Sequence, residues 1–136
     1  MTSYHQLIME NHTIFAKKVW EQLADRGLTS GQPKILEYLF SNDGAVQKDI
    51  ATAAQVEPAT ITNLLARMEK AGLIYRRPDP DNRRFWHVHL TDAGRVEAGF
   101  VLTAFQNMEA IALDGFTQKE IDLLLNALKR IRQNLV

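Results

Sequence analysis

The sequence predicts a mainly α-helical domain with one small β-hairpin (α+β), and three observations carry that prediction. Apolar residues recur at helical spacing along most of the 136-residue chain. Two short helical stretches a few residues apart are followed at once by a strand, a turn cluster and a second strand. Single Gly and Pro residues are the only punctuation, with no internal repeat or low-complexity linker, so residues 1–136 read as a single domain.

From Ser3 to Arg26, Leu7, Ile8, Ile14, Phe15, Val19 and Leu23 mark a first helix, and Gly27 suits its C-terminal cap. Thr29-Ser30-Gly31-Gln32 reads as a capping box opening a second helix, with Ile35, Leu36, Leu39 and Phe40 as its buried stripe. Asn42-Asp43-Gly44 ends it, and Ala45-Val46 allows a short extended piece. A third helix runs from about Gln47 to Ala54, burying Ile50 and Ala51. Gln55-Val56 turns the chain into a fourth, which spans Glu57 to Ala71 with Pro58 at its first position. Ile61, Leu64, Leu65 and Met68 form its inward face.

Two short helices joined by a tight turn, the second with a polar outer face, make a helix-turn-helix pattern. Leu73-Ile74-Tyr75-Arg76-Arg77 then has strand character, and Pro78-Asp79-Pro80-Asp81-Asn82 is a dense turn cluster. Phe85 to Leu90 alternates, with Trp86, Val88 and Leu90 on one face. A helix-turn-helix followed by a hairpin with arginines at its tip is a winged helix-turn-helix. Thr91 caps a long helix reaching about Leu113, with Val101, Leu102, Phe105 and Met108 on one side. Thr117-Gln118-Lys119-Glu120 is a second capping box. The last helix carries a broad stripe of Ile121, Leu124, Leu125, Leu128, Ile131 and Leu135.

Composition narrows the function. Hydrophobic residues at 46% and charged residues at 24% match soluble globular proteins and argue against disorder. The absence of Cys excludes disulfides, thiolate metal sites and cysteine redox sensing. No stretch approaches the roughly 18 apolar residues of a membrane span, and no basic-then-apolar leader opens the chain, so a cytoplasmic location with no membrane partner is expected. Sixteen basic and sixteen acidic residues cancel, yet six bases stand against three acids between Arg67 and Arg84. A local basic stripe can bind phosphates while steering association less than a wholly basic domain would.

In its order of elements and in four stretches, the chain resembles the MarR family of bacterial regulators. Those stretches are Leu28-Thr29, Ala71-Gly72-Leu73-Ile74-Tyr75-Arg76-Arg77, the wing Pro78 to Arg84, and the join Leu90-Thr91-Asp92-Ala93-Gly94. The resemblance implies a winged helix-turn-helix lobe over 29–90 and a helical dimerisation lobe built from 1–27 and 91–136. It also implies a two-fold dimer on a pseudo-palindromic operator, a role most often repressive, and release by a small aromatic or anionic effector. One departure concerns the family's Asp-x-Arg wing motif. Counting back from Leu90-Thr91 puts its aspartate at Asn82 and its arginine at Arg84, whereas Asp81-Asn82-Arg83 carries the letters one residue early. With Asn82 as the counterpart, a charge-assisted brace becomes a neutral hydrogen bond about half as strong.

With its apolar face turned inward, the fourth helix presents Ala59, Thr60, Thr62, Asn63 and Arg67. Asn63 suits adenine N6 and N7, Thr60 or Thr62 a base edge or a thymine methyl, and Arg67 guanine or phosphate, while the small Ala59 permits close approach. Glu57 weighs against a nearby phosphate. Arg83 and Arg84 suit a narrow minor groove, and Arg76 suits bracing the hairpin or touching phosphate. Phe100, Phe105, Phe116 and the leucines of the last helix exceed what one small helix-turn-helix unit can cover, which also calls for a homodimer; its recognition helices would lie about 34 Å apart.

Other constellations are weaker. His87 and His89 share a strand face at ligand spacing, but no Cys or neighbouring carboxylate completes a set, so no metal is expected and they read as structural or phosphate-contacting. His5 and His12, with Tyr4, Phe15 and Trp20, could border an effector pocket, although core packing or plain surface accounts for them better. No phosphate loop, nucleophile elbow or catalytic triad spacing exists, so neither an enzyme nor a cofactor is expected. The competing reading is a winged-helix protein-interaction module without direct DNA readout, which neutral net charge favours mildly.

Overall fold

The computed structural model describes residues 2–136 and is mostly helical, with one three-stranded antiparallel sheet. Helix α1 (Tyr4–Leu23) begins at Ser3, whose hydroxyl accepts from the Gln6 amide, and runs into a 3-10 turn (Ala24–Arg26) stopped by Gly27 at φ 74°. Helix α2 (Gln32–Ser41) starts differently from the expected capping box. Gly31, at φ 91°, is the N-cap, and no side chain caps the helix. Only half of the box forms: the Thr29 amide donates to the Gln32 side-chain oxygen at 3.2 Å. That bond satisfies the buried Gln32, which is 4% exposed.

Strand β1 (Ala45–Val46) leads directly into α3 (Gln47–Ala54), and Gln55 in the left-handed region turns the chain into α4 (Pro58–Lys70). Strands β2 (Ile74–Pro78) and β3 (Trp86–Leu90) form the wing hairpin. The short extended piece becomes the third strand: the sheet order is β1-β3-β2, with Ala45 opposite Val88 and Ile74 opposite Leu90. Helix α5 (Asp92–Ala112) is capped by Thr91, and α6 (Gln118–Leu135) by a complete Thr117–Glu120 capping box.

One core joins these elements. Ile35, Leu36 and Leu39 of α2, Ile50 of α3, Ile61 and Leu65 of α4, Val88 of β3 and Val101 of α5 are almost fully shielded from solvent. Two apolar residues assigned to it by spacing lie outside. Phe40 is 38% exposed with Arg95 over its ring, and Trp86 is 45% exposed. Each sits at the end of its apolar series, where the packed partner runs out while the periodicity continues.

The wing is anchored to the base of α5 by close backbone approach. The Thr91 amide donates to Leu73 O, and the Thr91 hydroxyl donates to Gly72 O while accepting from Gly94 N. Gly94 is required here, because a Cβ at that position would meet Leu73 O at 1.8 Å. Helix α6 contrasts with the rest. None of its residues is buried, and Leu123, Leu124, Leu125, Leu128 and Leu135 are exposed.

Candidate nucleic-acid interface

Helix α4 buries Ile61, Leu64, Leu65 and Met68, so its other face is left to solvent. Ala59, Thr60, Thr62, Asn63 and Arg67 are all exposed, as the helical period requires. Their surroundings differ. The Thr62 hydroxyl donates to Pro58 O and accepts from the Gln47 side chain, whereas Thr60 and Asn63 have no such commitments among the described residues. Arg67 lies on the flank toward the α1–α2 junction, lining a concavity of about 300 Å³ with Arg26, Gln32 and Glu97.

Between the start of α3, the α3–α4 turn and the wing lies a larger open cleft of about 730 Å³, lined in part by Gln47, Lys48, Glu57, Arg84, Phe85 and Trp86. Two cations and the side-chain amides of Gln47 and Gln55 suit a phosphate backbone, and Glu57 is the one acidic group on its wall. Gln47 and Lys48 were missed from sequence. Their position at the start of the helix before α4 was the available signal, since such residues flank the recognition helix in any helix-turn-helix.

In the wing, Arg83 and Arg84 are exposed and, among the described residues, pair with no carboxylate. Arg76 is engaged: its guanidinium contacts Glu69 of α4 at 3.1 Å, which ties the hairpin to the helix. Arg77 lies over the Tyr75 ring, which stacks in turn on His89.

The wing turn is braced chiefly by Asp79, a residue not considered for that role from sequence. Asp79 Oδ1 accepts the amides of Asp81 at 2.8 Å and Asn82 at 3.1 Å, and its Oδ2 lies 2.7 Å from His87 Nε2. Asn82 has a subsidiary part, its side-chain oxygen accepting the Arg84 amide. The signal for Asp79 was present in Pro78-Asp79-Pro80, because an aspartate entering a turn accepts the amide two residues on. The remaining nitrogen of His87, Nδ1, donates to Gly44 O at 2.7 Å, linking the wing tip to the loop before β1.

Both His87 nitrogens thus face acceptors, an arrangement only the imidazolium can satisfy. The Asp79 hydrogen bond, then the Gly44 carbonyl, raise the His87 pKa above its ordinary value, while His87 and the turn amides lower that of Asp79. The expectation that no carboxylate neighbours these histidines is therefore corrected: Asp79 meets His87, and Asp43 lies 3.4 Å from His89. Asp79 comes from the turn of the same hairpin and Asp43 from the loop before β1, neither of which strand spacing reveals. They remain separate pairs, and among the described residues no group of three or more His, Cys, Asp or Glu gathers as metal ligands.

His5 and His12 lie on the exposed surface of α1, and neither concavity described above includes them, Tyr4, Phe15 or Trp20. Among the described residues, no helix is long and apolar enough to cross a membrane.

Residues 28–85 match the family model described as MarR family. The chain is 26% identical over 114 residues to the HTH-type transcriptional regulator YybA of Bacillus subtilis (strain 168), covering 84% of this chain and 76% of that protein. Among solved structures it is similar to the S. aureus MepR–DNA complex, with 28% identity, a TM-score of 0.87 and all of both chains covered. A MarR-family regulator from Listeria monocytogenes complexed with a 26mer DNA superposes with a TM-score of 0.93 over 99% of this chain and 90% of that one; at 23% identity it speaks to the fold.

Proposed function

Taking the chain as a member of the MarR family of transcriptional regulators, we propose that it binds double-stranded DNA sequence-specifically and represses transcription as a homodimer on a pseudo-palindromic operator. The observation that carries this reading is the pairing of an exposed polar α4 face with two arginines of a braced wing, Arg83 and Arg84, that meet no carboxylate among the described residues, across an open cleft lined by Lys48 and Arg84. Helix α4 supplies the major-groove reader through Ala59, Thr60, Thr62, Asn63 and Arg67, and the wing reaches the minor groove. Arg76 acts by fixing the hairpin on α4.

Residues 29–90 form the DNA-binding lobe of this proposal, and 1–27 with 91–136 the dimerisation lobe. Exposed Leu7, Ile8 and Ile14 on α1 and the leucines of α6 support it, since this many large apolar side chains left in solvent on two helices mark an interface. A homodimer in the cytoplasm would set two α4 helices about one DNA turn apart. A small aromatic or anionic effector that favours another lobe arrangement would change that separation and release the operator.

Duplexes selected from a random pool should contain an inverted repeat, and log affinity should fall linearly with log salt, with a slope of about −0.9 per phosphate neutralised. Failure to enrich any duplex, together with salt-independent capture of a protein partner, would replace this reading with the interaction-module one.

A further inference from the structure

The outward side chains of α4 are unequal as base readers, and hydrogen bonding makes them so. The Thr62 hydroxyl donates to Pro58 O, one turn back, at 3.1 Å. It also accepts from the Gln47 side-chain amide at 2.9 Å, across fifteen residues of chain. A hydroxyl has one proton. With that proton on Pro58 O, Thr62 cannot donate to purine N7, guanine O6 or thymine O4, the acceptors of the major-groove edge. Its uncommitted part is the methyl group and one lone pair beside the Gln47 amide. Thr60 and Asn63 keep their full donor and acceptor capacity, since neither side chain hydrogen-bonds within the described residues.

Gln47 is built to hold this state. A helical threonine divides between two χ1 rotamers, and a second partner on the hydroxyl selects the one that bonds back to the preceding turn. Gln47 is the first residue of α3 and only partly exposed. Val46 before it pairs with His87 of the wing, and Ile50 and Ala51 after it enter the core. Its backbone therefore has little freedom to carry the amide away from Thr62.

We infer that Thr62 reads a thymine through its methyl group rather than a base edge through its hydroxyl, and that Gln47 is the positioning residue that keeps the methyl toward the groove. The inference rests on the proposed placement of α4 in the major groove. It assigns sequence discrimination at one operator position to a residue outside α4.

The test uses the full-length protein and an operator duplex selected from a random pool. Each dT is replaced in turn by deoxyuridine, which removes only the 5-methyl group. One symmetry-related pair of positions should cost the wild type about fourfold in affinity per half-site, the worth of one methyl-sized group. Thr62→Ser should abolish that penalty and Thr62→Val should keep it. Gln47→Ala should shrink it while leaving discrimination at other positions unchanged, a pattern that a general loss of stability would not produce. A penalty undiminished in Thr62→Ser, or a tight operator indifferent to every deoxyuridine, overturns the inference. Failure to select any duplex overturns instead the DNA-binding reading on which it rests.

Discussion

Gly94→Ala is the most crowded of the glycine-to-alanine changes, although it adds only a single methyl group. Gly94 lies in the first turn of α5, and a Cβ there would stand 1.8 Å from Leu73 O. Carbon–oxygen contacts settle at about 3.3 Å or more, so α5 and the Leu73 strand entry must part by about 1.5 Å. The neighbour is backbone, and no side-chain rotation relieves the clash. That same carbonyl accepts the Thr91 amide, so parting also stretches the bond that seats α5 on the wing. Overpacking of this kind costs about 3 kcal/mol, at the upper end of its usual range. Replacing a helical glycine by alanine returns about 1 kcal/mol. The net loss is about 2 kcal/mol, which for a chain of this size lowers Tm by about 8 °C.

Gly99→Ala is the internal control. It makes the same chemical change in the same helix, but the added Cβ meets nothing within 4 Å. It should therefore raise Tm by about 4 °C. Thermal unfolding followed by circular dichroism, at one protomer concentration, separates the two variants. A Gly94→Ala protein as stable as the wild type, or equal shifts for both variants, would refute the close-approach argument.

Three further outcomes follow from the same geometry. Arg84→Ala should weaken operator binding and reduce the salt slope by about one unit while leaving the unfolding curve unchanged; unaltered binding in both Arg83 and Arg84 variants would remove the wing from the interface. Leu124→Glu combined with Leu128→Glu should yield a monomer by sedimentation with its α-helical signal retained, and an undiminished dimer would place the interface elsewhere. The His87 latch makes wing order pH-dependent. A raised His87 pKa gives stabilisation that is complete below the ordinary histidine value of 6.5 and lost as pH rises through the folded-state value, while the lowered Asp79 pKa keeps its contribution above 3.8 and loses it as pH falls further. Hydrogen exchange at the Asp81 and Asn82 amides should accelerate from mildly acidic to alkaline pH beyond its intrinsic increase, and His87→Gln should abolish that excess.

What the residues determined alone was local and periodic. Ser3, Thr91 and Thr117 cap α1, α5 and α6 because a side-chain oxygen satisfies an amide three residues on, a relation written within one turn of chain. The inward face of α4, and hence its exposed counterface, follows from a period of 3.6 residues acting on Ile61, Leu64, Leu65 and Met68. The hairpin and its arginine tip were equally readable, because turn chemistry acts between near neighbours. What only the tertiary structure decided involves atoms carried by different elements. Asp79 and His87 meet across the wing turn, and Gly44 reaches His87 from 43 residues away. Glu69 takes Arg76 out of the free basic set, and Gln47 donates to the Thr62 hydroxyl, whose own proton goes to Pro58 O. Periodicity says which way a side chain points. Which partner awaits it there depends on how the elements pack, and that partner decides whether a donor is still available to DNA.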